Sequence, residues 1–175
     1  KKINGEIINA DSMQVYKEFS ILSSRPSKNN LKKAQHHLYG FLSVKDYFST
    51  GQWLKILKKK IIDCIDRKKT PILVGGTGLY FSAITKGMSQ IPEIDFKSRD
   101  LIRNLHKKIG QKKFYEKLII LDPLSKNKIL STDSQRTIRA YEVKLSTKKS
   151  LYEWAKNTKS DFEDYDIKKI FIDIP

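Results

Sequence analysis

A single cysteine, Cys64, stands in 175 residues. No disulfide can form within the chain, which excludes the small disulfide-stapled scaffolds and fits a reducing cytoplasm. Apolar residues nowhere run for the roughly 18 positions that a membrane-spanning helix needs, so no membrane partner is expected. No secretory pattern opens the sequence, since Lys1-Lys2-Ile3-Asn4-Gly5 leads straight into a strand. Neither Cys-x-x-Cys nor His-Glu-x-x-His occurs, and His106 is remote from His36-His37, so no metal ligand is assigned. The phosphate loop Gly-x-x-x-x-Gly-Lys-Ser/Thr is missing as well. Acidic residues are scarce, at 19 against 35 basic ones, and the net charge is +16. That excess points to a polyanionic partner, with nucleic acid the expected one. Arginine is scarce in turn, 6 residues beside 29 lysines. A lysine-, isoleucine- and asparagine-rich composition also follows from AT-rich coding DNA. The few arginines therefore carry more information, because a guanidinium is the better phosphate fork.

The most informative stretch is Pro71-Ile72-Leu73-Val74-Gly75-Gly76-Thr77-Gly78-Leu79-Tyr80-Phe81. A short apolar run meets a Gly-Gly-Thr-Gly turn and then a helical pattern to about Thr85, with Gly87 as its cap. Strand, glycine-rich turn and helix bring backbone N–H groups and a hydroxyl to the carboxyl edge of a parallel sheet. The segment Ile7-Ile8-Asn9-Ala10-Asp11-Ser12-Met13-Gln14-Val15-Tyr16 has the same logic, with a strand over 6–10 that ends in a carboxylate and a hydroxyl. Two such strand ends suggest one shared site. Between them Leu54, Leu57, Ile61, Cys64 and Ile65 mark the apolar face of a helix over 51–68, which makes a βαβ unit.

Composition changes near Ile91-Pro92-Glu93. Helical spacing then continues to about residue 157. One helix carries Leu101, Ile102, Leu105 and Ile109 and ends at Gly110; a second carries Phe114, Leu118 and Leu121 and stops at Asp122-Pro123; a third is capped by Asp133. A short helix is expected at 150–156 and a strand over 168–174. The reading is an α/β protein: a core over 1–91, a helical insertion over 92–164 and a return strand over 165–175.

Each candidate residue has a plain structural alternative. Asp11 is placed to accept a proton or orient a nucleophile, or it closes a strand. Thr77 aims a hydroxyl into the same crevice, or it caps a helix. His36 and His37 suit structural roles or a phosphate contact better than a metal. Arg136 and Arg139 share one helix face near a positive N-terminus and suit a phosphate backbone, or they are ordinary solvated charge. Arg99 and Arg103 open an earlier helix in a comparable way.

Taken in order, these segments resemble the tRNA dimethylallyltransferases, also called tRNA isopentenyltransferases. Asp11-Ser12-Met13-Gln14-Val15-Tyr16 is similar to that family's Asp-Ser-x-Gln-x-Tyr segment, and His36-His37-Leu38 to its His-His-Leu. Leu73-Val74-Gly75-Gly76-Thr77-Gly78-Leu79-Tyr80 is close to its hallmark. Asp133-Ser134-Gln135-Arg136 through Arg139-Ala140-Tyr141-Glu142-Val143 resembles its Asp-x-Gln-Arg…Arg-Ala-x-Glu-Val helix. One such motif alone is unspecific; four in order at family-like spacing are not. The family's Gly-Thr-x-Lys-Pro loop reads Leu22-Ser23-Ser24-Arg25-Pro26 here, and Arg25 keeps the charge.

The resemblance implies a P-loop-kinase-like parallel sheet core interrupted by a small helical insertion that grips a tRNA anticodon stem-loop. It implies transfer of a dimethylallyl group from dimethylallyl diphosphate to the exocyclic amine of adenine 37, in tRNAs reading codons that begin with U. Asp11 would act as general base and Thr77 would sit at the reacting centre. Asp11, Ser12, Met13, Gln14 and Thr77 would line the pocket for the flipped-out adenine. Arg99, Gln135, Arg136, Thr137, Ile138 and Arg139 would contact tRNA. Mg2+ is expected in the complete protein, with its P-loop ligand outside this chain; the 175 residues alone are then expected to be inactive. A cytoplasmic monomer is expected. The competing readings are an adenylate isopentenyltransferase using a free nucleotide and a non-catalytic RNA-binding remnant.

Overall fold

The structure, a computed structural model, describes residues 3–173. Its elements in chain order are β1 (Gly5–Asn9), α1 (Lys28–Leu31), β2 (His36–His37), α2 (Thr50–Asp66), β3 (Thr70–Val74), α3 (Gly78–Lys86), α4 (Phe96–Leu121), a 3-10 turn (Pro123–Ser125), α5 (Ser134–Thr147) and α6 (Leu151–Trp154). The chain divides into two units. The first runs to Gly87 and resumes at Ser160; the second is Met88–Lys159.

The first unit is an α/β layer with a three-stranded parallel sheet in the order β2-β1-β3. The register sets Ile8 beside Leu73 and Asn9 beside Val74, so β1 and β3 end level with each other. The crossover helix α2 starts with a capping box, in which Ser49 and Gln52 satisfy each other's backbone N–H groups. It buries Trp53, Leu57, Ile61 and Cys64. Ile65 was expected on that face but is 43% exposed. Trp53 takes up the apolar stripe one turn earlier, where its indole stacks on Tyr80 of α3 with ring centres 3.8 Å apart.

One buried carboxylate ties three elements of this layer together. Glu6 of β1 accepts from both terminal nitrogens of Arg67, at 2.5 and 2.8 Å, and pairs with His37 Nε2 of β2 at 2.7 Å. The Cys64 thiol of α2 points at the same carboxylate, at 3.5 Å. Hydrogen bonds from Arg67 and then from His37 hold the Glu6 carboxyl far below the usual carboxylate range. Burial and the neighbouring Glu6 push the Cys64 thiol up, so it is an inert core group.

The second unit is helical. Asp95 caps α4, and Asp133 caps α5 by accepting from the Arg136 N–H. The two helices expected on either side of Gly110 run on as α4, broken at that residue. Gly110 has φ +78, a left-handed conformation that favours glycine. Leu118 packs with Ile129 and Ala140, and Phe114 is fully buried against the Tyr141 ring. An antiparallel bridge between Met88 and Lys159 closes the unit.

Two expectations need correction. The boundaries expected at 91/92 and 164/165 fall at 87/88 and 159/160; at the second, Phe162 is buried in the first unit's core and Ser160 Oγ bonds the Ile84 carbonyl. The strand expected over 168–174 does not form among the described residues. Ile170, Phe171 and Ile172 are 86, 89 and 88% exposed and make no ladder. An apolar β-branched run becomes a strand only where it pairs with a neighbouring edge, and among the described residues this run pairs with none. Residue 174 lies outside the described residues.

Two measurements check this account. Trp53→Ala removes the largest fully buried side chain of the first unit and is expected to cost roughly 3–5 kcal/mol in denaturant unfolding. A Glu6 carboxyl depressed below its ordinary value of 4.5 contributes stability that is complete above that pH and is lost on acidification. The unfolding midpoint is therefore expected to fall below about pH 4.5, and Glu6→Gln to flatten that acid limb while lowering the midpoint at neutral pH.

Candidate active site

The ends of β1 and β3 meet through backbone contact. Gly75 follows β3 directly, and a Cβ there would overlap the Ala10 carbonyl group and the Asp11 N–H. Only glycine lets the two strand ends come this close. The Ala10 N–H donates to the Val74 carbonyl at 2.8 Å, and the Thr77 N–H to the Ala10 carbonyl at 3.3 Å. Thr77 occupies the N-cap position of α3 but makes no side-chain cap bond. Its hydroxyl turns instead to the other strand end, accepting from the Ser12 N–H at 2.8 Å and donating to Ser12 Oγ at 3.2 Å.

Asp11 is held by one oxygen. Oδ1 accepts from the N–H groups of Met13, at 2.8 Å, and Gln14, at 3.3 Å. Among the described residues no hydrogen bond engages Oδ2, which lies 3.6 Å from where a Gly76 Cβ would be. Behind it, buried Asn9 fixes the turn: its Oδ1 accepts from the Asp11 N–H, and its Nδ2 donates to the Asp11 and Leu38 carbonyls. The Trp53 indole N–H donates to the Asn9 carbonyl at 3.2 Å. Two phenols feel the Asp11 charge. Burial, then Tyr16 and Asp11, push Tyr80 up to about 12, and burial and Asp11 raise Tyr39. Both therefore remain protonated donors at neutral pH.

Beside this corner lies a cavity of about 460 Å³ whose lining includes Gln14, Pro26, Asn30, His36 and Tyr39. Gln14 spends its amide on the Ser23 carbonyl at 2.8 Å, and Met13 is 51% exposed. Arg25 donates to the Tyr16 and Lys17 carbonyls, so its charge anchors the loop that walls the cavity. The structure thus brings Asp11, Ser12, Met13, Gln14 and Thr77 to one corner.

The second unit carries the remaining candidates. Gln135 is exposed, Ile138 is partly buried, and Arg136 is tied to Asp133 at 2.7 Å. Arg139 is 41% exposed; Arg99 of α4 is intermediate. Thr137 departs from the expectation. It is fully buried, with its hydroxyl donated to the Asp133 carbonyl and accepting from Gln111, so its side chain braces α5 and offers nothing to an external RNA.

The sequence model of the IPP transferase family matches residues 14–175. The chain belongs to that family. It is 56% identical over 173 residues to a tRNA dimethylallyltransferase of Pelagibacter ubique, covering 99% of this chain and 55% of that one. A tRNA dimethylallyltransferase of Rickettsia massiliae is 46% identical, with 98 and 48% covered. A crystal structure of a eukaryotic dimethylallyltransferase acting on tRNA superposes with a TM-score of 0.72 at 26% identity, over 90% of this chain and 39% of that one. The chain spans about half the length of the curated relatives it matches.

Within this IPP transferase corner, sequence reasoning missed Asn9, Trp53 and Tyr39, which act through partners far along the chain. It also missed that Glu6, His37 and Cys64 bring potential ligand atoms within 4.8 Å of one another. Arg67 already holds both oxygens of that carboxylate, which leaves the group a structural clasp. The Thr77 hydroxyl can be tested directly. Thr77→Val removes both bonds to Ser12 and is expected to cost about 1–2 kcal/mol in thermal unfolding, with faster exchange of the Ser12 amide proton. Thr77→Ser should retain that protection; an equally protected Ser12 amide in the valine variant would show that the hydroxyl does not join the strand ends.

Proposed function

We propose that this chain supplies the acceptor side of an enzyme that moves a dimethylallyl group from dimethylallyl diphosphate to the exocyclic amine of adenine 37 of tRNA, in tRNAs reading codons that begin with U. The observation that carries the reading is the posture of Asp11. One oxygen is tethered to two backbone N–H groups while the other is left open beside a two-glycine turn. A base must be immobile and still have a lone pair to use.

In the proposed step a bond forms between the adenine nitrogen and the first carbon of the dimethylallyl group. The bond from that carbon to the diphosphate oxygen breaks, and diphosphate leaves with the electron pair. The proton lost from the amine passes to Asp11. The adenine must leave its stack to reach this corner, and the cavity beside Gln14, His36 and Tyr39 is the proposed receptacle. Arg99, Gln135, Arg136, Ile138 and Arg139 are the proposed contacts to the anticodon stem-loop. Magnesium would accompany the diphosphate in this reading and help to neutralise the charge of the leaving group. Among the described residues the three-ligand group is Glu6, His37 and Cys64, a nitrogen- and sulfur-bearing set unsuited to that ion, so no step is routed through it. The enzyme is proposed to act as a monomer in the cytoplasm.

The test exchanges this chain for the matching segment of the Pelagibacter relative, which it covers with 56% identity. The exchanged enzyme is expected to prenylate tRNA from labelled dimethylallyl diphosphate. Asp11→Ala within it should lower the transfer rate roughly 100-fold or more while tRNA affinity stays within a few-fold. A folded, tRNA-binding exchange enzyme with no transfer would overturn the reading, and near-normal turnover of the alanine variant would remove Asp11 from the mechanism.

A further inference from the structure

We propose that Glu142 is a positioning residue that holds Arg103 and Arg139 together as a double guanidinium fork for RNA phosphate, which makes Arg103 a further RNA-contacting residue. The proposal rests on the RNA-binding reading above and adds to it two residues and a device.

Glu142 lies on α5 and is only 3% exposed. A buried carboxylate is costly unless cations compensate it, and two do so. Arg139, one turn earlier on α5, brings Nη1 to 3.6 Å from Oε2, and Arg103 of α4 brings Nε to 3.5 Å from Oε1. Neither contact is a hydrogen bond, and Oε1 is a buried atom with no hydrogen-bond partner. The carboxylate thus attracts both guanidinium groups by charge without consuming their N–H donors.

Two other arginines show what a structural guanidinium looks like in this protein. Arg67 is bonded through its three nitrogens to Glu6 and Asp63, and Arg25 is spent on carbonyls. Arg103 and Arg139 differ. At 46 and 41% exposed they are about as open to water as Arg67, but they share one negative charge between two positive ones, and among the described residues no hydrogen bond engages either. Two planar sets of unspent donors with a net positive charge, braced from beneath by a fixed anion, match the demands of phosphate oxygens. Thr137, buried on the same helix, locks the start of α5 and so the direction from which Arg139 rises.

Glu142→Gln separates this device from simple charge. Removing a negative group beside an RNA site should tighten binding if only net charge matters. If Glu142 positions the fork, binding of the whole chain to tRNA is expected to weaken roughly tenfold, with a shallower salt dependence by about one phosphate contact. Arg103→Ala and Arg139→Ala should each weaken binding in the native chain, yet cost less than about twofold once Glu142 is glutamine. Equal or tighter binding by Glu142→Gln, or losses that simply multiply, would overturn the positioning role. Arg103 is half exposed, so Arg103→Ala remains informative even if Glu142→Gln does not fold. Full tRNA affinity in that variant, with the native chain binding normally, overturns the proposal alone. A native chain without salt-sensitive tRNA binding overturns the RNA reading and this proposal with it.

Discussion

The Glu6 carboxylate is the contact on which the first unit depends. It sits on the central strand, almost out of water, and takes its compensation from β2 through His37 and from the end of α2 through Arg67 and Cys64. A buried anion cannot be left unpaired, so the strand, its neighbour and the crossover helix are obliged to meet at one point. β2 is only two residues long, and a ladder that short has little hold of its own. The His37 bond to Glu6 supplements it.

From that anchored end β1 runs to Asn9, whose buried amide prepares the turn bearing Asp11. The site is then completed across the sheet: Gly75 permits close backbone approach, and Thr77 spends on Ser12 the hydroxyl that a capping threonine would spend on its own helix. One end of the strand is built for rigidity. The other carries a carboxylate with one tethered and one open oxygen, the form a proton acceptor requires.

The helical unit uses charge in two ways. Arg136 and Asp133 satisfy each other at the start of α5. Glu142 instead divides its charge between two arginines at ion-pair distance, which leaves donors available. The same residue type is thus either hydrogen-bonded to its carboxylate or held at ion-pair distance, according to how near that carboxylate stands.

Much of this was legible in the linear sequence. The apolar period of α2, the Asp133 cap, the break at Gly110, the Gly-Gly-Thr-Gly turn and the Asp-Ser end of β1 all depend on neighbours within a few positions, where backbone and capping physics act. The four ordered segments also carried the resemblance that the family match bears out. Distance along the chain hid the rest. Glu6 meets Arg67 61 residues away, Ser12 meets Thr77 65 away, and Asn9 meets Leu38 29 away. The resemblance implied a tRNA contact at Thr137, and a helix position does not reveal that its side chain is buried. Ile170-Phe171-Ile172 read as a strand because β-propensity does not reveal whether an edge is available. Local pattern determined the helices and the two strands that frame the site, and the identity of the candidate base. Tertiary contact alone decided which oxygen of Asp11 is open, which arginines are spent, and which hydroxyl joins the two strand ends.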